Sequence, residues 1–120
     1  MHDSLQDVTV ERPKEGAAVA IFEGEHDLAT APAVESMLGS LIQENELVVV
    51  DFSEAEFVDS SMIHVLVKSD RAARELGTTF RLQLGTTPIV KKAFEFAGVL
   101  ELLHCAPTRE EALRDGDART

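Results

Sequence analysis

The spacing of apolar residues changes several times along the chain, and each change marks an element. Val8 and Val10 alternate with polar neighbours, ERPKEG supplies a turn, and AAVAIFEG is a short apolar run ending in glycine, so two strands joined as a hairpin are predicted. From Leu28 to Gln43 the apolar positions Val34, Met37, Leu38, Leu41 and Ile42 recur at three and four, with Thr30 or Asp27 as cap and Pro32 in the first turn of a first helix. LVVVDF at 47–52 is a continuous β-branched run, which predicts a strand covered on both edges and parallel to its neighbours. After Ser60 the stripe Met62, Val65, Leu66, Ala72, Ala73, Leu76 has helical spacing, His64, Lys68, Arg71 and Glu75 share the opposite face, and Gly77 ends the helix. TTFRLQLG alternates Phe80, Leu82 and Leu84 as a half-buried strand, and Thr87 and Pro88 then open a third helix running to Gly98. VLELL reads as a short last strand, Thr108 and Glu111 at capping-box spacing start a final helix, and 114–120 reads as a frayed tail.

The predicted order β, β, α, β, α, β, α, short β, α defines an α/β fold. An opening hairpin followed by βα units implies a mixed sheet of four to five strands with right-handed crossovers and about four helices packed on it. With 120 residues, 44% of them hydrophobic, and no internal repeat or interdomain linker, a single domain is expected over 1–120, its core at about 5–113.

Composition removes several function classes. Twenty-two acidic against 11 basic residues give a net charge of -11, which repels phosphate backbones and anionic membrane surfaces, so neither nucleic acid nor membrane is an expected partner. No apolar run approaches the roughly 18 residues of a membrane span, and MHDSLQDVTV lacks the basic-then-apolar profile of a signal peptide; a cytoplasmic protein is expected. The lone Cys105 cannot form an internal disulfide and is expected as a small core residue. His2, His26, His64 and His104 are widely separated, with no pair at i, i+4, and read as scattered surface histidines; no metal or other cofactor is implied. Six phenylalanines without Trp or Tyr argue against a base-stacking platform and for core positions for most of them.

The segment FVDSSMIH at 57–64 carries the candidate chemistry. Ser60 and Ser61 stand where the segment 53–59 gives way to the second helix, so either hydroxyl can accept a hydrogen bond from a free amide of the first turn, worth about 1 kcal/mol. A cap needs only one hydroxyl. The unpaired N–H groups and the positive end of the helix dipole would also tolerate a phosphate there, which would bring about -1.5 to -2 charges beside Asp59 and repel a docked partner. Cap and switch both remain open on this chemistry.

Several segments, taken in order, resemble a STAS domain, the family of bacterial anti-sigma factor antagonists and of sulfate transporter C-terminal domains. GEHD (24–27) resembles the family's Gly-Glu-x-Asp turn, LVVVDFSEAEFVDSS its strand-loop with Asp-Ser-Ser/Thr, and TPIVKKAFEFAGVLELL its Ser/Thr-Pro helix followed by Gly-Leu, the likeness spanning roughly 5–113. The resemblance implies a phosphorylatable serine directly after the aspartate, here Ser60, with Ser61 as the neighbouring hydroxyl and Asp59 as the preceding acid. It further implies a partner, an anti-sigma factor with serine kinase activity, docking on Asp27, Asp59, Ser60, Ser61, Met62 and His64, and a phosphatase that resets the state. Monomer or weak dimer is the expected form. One departure stands out: antagonists usually carry glycine and leucine after the hydroxyl pair, and the larger Met62 and Ile63 that replace them would narrow the approach to the helix start.

Rival chemistries are less well supported. A serine hydrolase using Ser60 with His64 would want G-x-S-x-G, and neither glycine is present; no acid for His64 can be named from spacing, so no catalytic residue is assigned. A phospho-aspartate receiver built on Asp51 would need a first strand leading into a helix and a lysine after the fifth strand, but the first strand turns into another strand and no lysine follows residue 92. Asp51 reads instead as a strand-end residue that bonds loop amides. Within the family the alternative is a constitutive scaffold or regulatory subunit of a signalling or transport assembly, with Ser60 and Ser61 only as caps.

Overall fold

Consecutive strands lie next to one another in a five-stranded sheet of order β1-β2-β3-β4-β5. In the computed structural model these are β1 (Val8–Lys14), β2 (Ala17–His26), β3 (Leu47–Val58), β4 (Thr79–Gln83) and β5 (Cys105–Ala106), joined through α1 (Ala31–Glu44), α2 (Ser60–Leu76) and α3 (Pro88–Ala97) and followed by α4 (Arg109–Ala112). The described residues are 7–26, 29–85, 88–97, 103, 105–106 and 109–113. Asp27, the Thr87 cap, Gly98, VLELL up to Leu102, Thr108 and the tail 114–120 therefore lie outside them.

β1 runs antiparallel to β2, and the remaining pairs are parallel. Crossovers of one hand between neighbouring parallel strands put their helices on one face of the sheet. Alternation along the strands then sorts residues between two layers. Ala18, Ala20, Phe22, Val48, Val50, Phe52, Phe80 and Leu82 join Val34, Leu38, Met62, Leu66, Val90 and Phe94 of the three helices in the main core. Phe52 sits between Phe22 and Phe94, with ring centroids 4.6 and 5.8 Å away. The opposite face carries Ala17, Val19, Leu47 and Val49 with Ala106 and Ala112.

That second face is held partly by charge. Arg81 Nη1 donates to the Ala112 carbonyl at 2.7 Å and Lys14 Nζ to the Leu113 carbonyl at 3.1 Å. Arg109 of α4 pairs with Glu11 and lies 3.5 Å from Asp51. The hydrogen bond to Glu11 keeps the Arg109 guanidinium charged, its pKa raised. Four residues form too short a helix to hold itself, so these contacts fix α4 in place.

Several elements differ from the pattern-based expectation. β3 does not stop at Phe52 but runs 12 residues to Val58. Its register slips between Ile21↔Asp51 and Glu23↔Glu54 and again between Gly24↔Ala55 and Glu25↔Phe57, so two bulges break the alternation a strand would show in sequence. Asp51 lies within β3, and its Oδ1 accepts the Ser53 N–H of the first bulge at 2.8 Å. Gly85 follows β4 at φ +71 against this bulge, where an added Cβ would come within 2.6 Å of the Ser53 side chain. In α2, Ala72 and Leu76 turn to solvent while Ser69 and Asp70 are buried, the Asp70 carboxylate accepting from Arg74 Nε at 2.9 Å. Cys105 is exposed, because alternation on the two-residue β5 directs Ala106 inward and Cys105 outward. Gly77 closes α2 in the left-handed region at φ 79, as its position foretold.

Candidate functional site

The ends of β2 and β3 run side by side, with Glu25↔Phe57 and His26↔Val58 in register. The Asp59 N–H donates to the His26 carbonyl at 3.2 Å, which keeps β3 against β2 one residue past their last pair. Asp59 then takes an extended backbone and caps α2, its Oδ1 accepting the Met62 N–H at 3.2 Å and its carbonyl the Ile63 N–H at 3.2 Å. The cap is therefore the aspartate and neither serine. A carboxylate at this position also meets the positive end of the helix dipole, which a hydroxyl cannot match.

Ser60 and Ser61 are the first two residues of α2, Ser60 exposed and Ser61 half-buried. Neither hydroxyl makes a hydrogen bond among the described residues. Met62 is 0% and Ile63 5% exposed, both side chains in the core under the helix start. The expectations for these two change accordingly. Met62 offers no side-chain atom to a docked partner, and Met62 and Ile63 both place their bulk in the core. His64 is exposed on the next turn. Asp27 lies outside the described residues.

Between α1 and α2 runs an open groove of about 560 Å³, lined by Ala31, Pro32 and Glu35 from α1 and by Ser60, Ser61, His64 and Val65 from α2. Glu35 and Lys68 pair across the two helices at 2.8 Å. Sequence reasoning had found the α2 side of this groove and missed the α1 side. Ala31, Pro32 and Glu35 carry helical spacing, but only the packing of α1 on α2 brings them opposite the serines.

His26 of the GEHD turn is not a surface histidine. It is 1% exposed, its ring packs edge-on to Phe22 with centroids 4.9 Å apart, and Nε2 lies 2.9 Å from the Glu23 carbonyl. A carbonyl only accepts, so Nε2 carries the proton and donates. The side chain thus ties down the second bulge, while the His26 carbonyl holds Asp59. Phe57 is the exposed exception among the phenylalanines whose burial is described, at 44%, because the second bulge sets it out of step with Ala55 and Val58. Among the described residues there is no cluster of three or more His, Cys, Asp or Glu side chains able to hold a metal ion, and no helix is long and apolar enough to cross a membrane.

A family model, STAS domain, matches residues 11–112. Solved structures of similar fold include an anti-sigma factor antagonist from Mycobacterium paratuberculosis, 27% identical with a TM-score of 0.73, covering 88% of this chain and 89% of that one. SpoIIAA, an anti-sigma factor antagonist, is 22% identical in its unphosphorylated form, with a TM-score of 0.72 over 88% of this chain and 92% of that one. The phosphorylated form of SpoIIAA from Bacillus is 21% identical, with a TM-score of 0.66 over 88% of this chain and 96% of that one. SLC26A9 is 16% identical with a TM-score of 0.70, and the match covers 83% of this chain but 19% of that one. Among curated proteins, none matches this sequence.

Proposed function

The chain belongs to the STAS domain family, and from that premise we propose that it is an anti-sigma factor antagonist working by partner switching. Unmodified, the surface around Asp59, Ser60, Ser61 and His64, with Asp27, binds an anti-sigma factor that is also a serine kinase, and the sigma factor is freed. The kinase then transfers a phosphoryl group from ATP: the Ser60 Oγ–P bond forms, the bond from phosphorus to the ADP oxygen breaks, and the hydroxyl proton leaves to the kinase. The added dianion beside Asp59 repels the docked partner, and a phosphatase resets the state.

One observation carries this reading. Asp59 already caps α2, so Ser60 stands exposed at the first helical position with a hydroxyl that holds no structural hydrogen bond among the described residues. The antagonist from Mycobacterium paratuberculosis, similar over most of both chains, supports the same reading. The protein acts by binding and carries no chemistry of its own in this scheme.

Incubation with the anti-sigma factor and ATP, followed by intact mass, tests it. One phosphoryl group is expected on the wild type and none on Ser60→Ala, and Ser60→Asp is expected to lose partner affinity by about tenfold or more. No added phosphate together with unchanged binding by Ser60→Asp would instead favour a constitutive scaffold or regulatory subunit, the kind of assembly suggested by the SLC26A9 likeness, in which this fold forms a small part of a longer chain.

A further inference from the structure

We propose that His64 is the residue that holds the phosphoryl group once Ser60 carries it, so that modification closes the mouth of the groove between α1 and α2. This rests on Ser60 as the acceptor and adds to that reading a chain-specific partner for the phosphate.

Ser60 and His64 line the same groove. They are separated by four positions on α2, one helical turn, a spacing that brings Cβ atoms to about 5–6 Å on a common face. The order is the favourable one, with the anion N-terminal to the cation. His64 is exposed, and its ring makes no hydrogen bond among the described residues, so it can turn to the phosphate at the cost of rotamer freedom alone. An imidazole donates from a ring nitrogen when neutral and adds a positive charge when protonated, and the phosphoserine dianion favours the protonated form.

Of the charges nearest His64, Lys68 and Asp59 have partners of their own, and Arg71 and Glu75 lie about two and three turns further along α2. Lys68, one turn further along α2, is held 2.8 Å from Glu35 of α1, so those two charges largely cancel beside the imidazole. Asp59 is committed to the Met62 amide. Among the groove-lining side chains the Ser61 hydroxyl and the His64 ring are both able to donate to the phosphate, and the His64 ring is the one that can also bring a positive charge, while the Ser60 and Ser61 amides meet it from the helix end. The bridged pair covers the two hydroxyls and the groove wall they form. A partner seated there is excluded by occupancy as well as by charge.

Phosphorus NMR of protein carrying genetically encoded phosphoserine at position 60 tests this without any kinase. The second ionisation of a phosphoserine lies near pH 6. In the wild-type background its titration midpoint is expected about half a pH unit below that in His64→Gln, and His64→Lys is expected to restore the low midpoint. The helix end acts equally in all three, so the difference isolates position 64. Equal midpoints in wild type and His64→Gln, or failure of His64→Lys to restore the shift, overturn the proposal. Because the phosphate is installed directly, a kinase that leaves Ser60 unmodified would sink the switching scheme and leave this pair standing, whereas equal midpoints would sink the pair and leave the scheme standing.

Discussion

Two helices begin on either side of the same groove, and they begin differently. α1 opens with Ala31 and Pro32 behind Thr30, whose side chain makes no capping hydrogen bond. Pro32 does part of the work there, since its fixed φ suits a first turn and it has no N–H to leave unpaired. α2 opens with Ser60 and Ser61 behind Asp59, whose carboxylate takes the Met62 amide. A helix start in this sheet therefore needs a proline or one carboxylate, and it does not need hydroxyls at its first two positions. The serines are surplus to folding, and surplus hydroxyls at an exposed helix start are what a modification site requires. The third positions differ as well: Ala33 is exposed, whereas Met62 is wholly buried. α2 is pinned at its very start, so whatever happens at Ser60 happens on a rigid base.

The largest effect is expected at that pin. Met62→Ala should destabilise the fold by about 2–4 kcal/mol, the range for truncating a buried Met, read from urea midpoints at unchanged m value. At the equivalent position of α1, Ala33→Ser should change stability by less than about 0.5 kcal/mol. Similar small losses at both positions would remove the contrast between the two helix starts. Capping comes next in size. Asp59→Ala, which removes the α2 cap, should cost about 1 kcal/mol. The double change Ser60→Ala with Ser61→Ala should stay within about 0.5 kcal/mol, because neither hydroxyl has a hydrogen bond among the described residues. If the serine pair proved as costly as Asp59, the hydroxyls would be the cap after all and the case for a free acceptor would fail.

The order of elements and the mixed sheet were readable from hydrophobic periodicity because long strands and helices repeat their pattern several times. LVVVDF announced a buried parallel strand, and Phe80 and Leu82 do enter the main core, but β4 is buried on both faces, Arg81 and Gln83 included, rather than half-buried as its alternation predicts. What stayed hidden is whatever breaks period. The second half of β3 shows no strand pattern in sequence because its two bulges put Ala55 and Val58 inward and Phe57 outward, a spacing that fits no single template. His26 looked like a surface residue, since nothing local signals that its ring packs on Phe22. Buried Asp51 and Arg81 gave no sign of their partners in α4, dozens of residues away, for the same reason. The α2 side of the site was legible through Asp-Ser-Ser at a helix start, but the choice between aspartate and serine as cap was not, since all three residues are good caps. Only the geometry that brings Asp59 Oδ1 to the Met62 amide decides it.

The smallest effect concerns what holds the two helix starts apart. Glu35 and Lys68 bridge α1 and α2 with 45% and 49% of their side chains exposed, so water and salt weaken the pair. A double-mutant cycle with Glu35→Gln and Lys68→Met should give a coupling of roughly 0.3 kcal/mol. At about 1 M salt, where screening acts within roughly 3 Å, the coupling should fall toward zero. A coupling above about 1 kcal/mol that survives salt would mean the bridge sets the width of the groove, and the difference between the two helix starts would then depend on a surface contact. A small, salt-sensitive coupling leaves the spacing to Val34 and Leu38 beneath α1 and Met62 and Leu66 beneath α2, which lie in one core and fix the distance between Pro32 and Ser60 before any charge is counted.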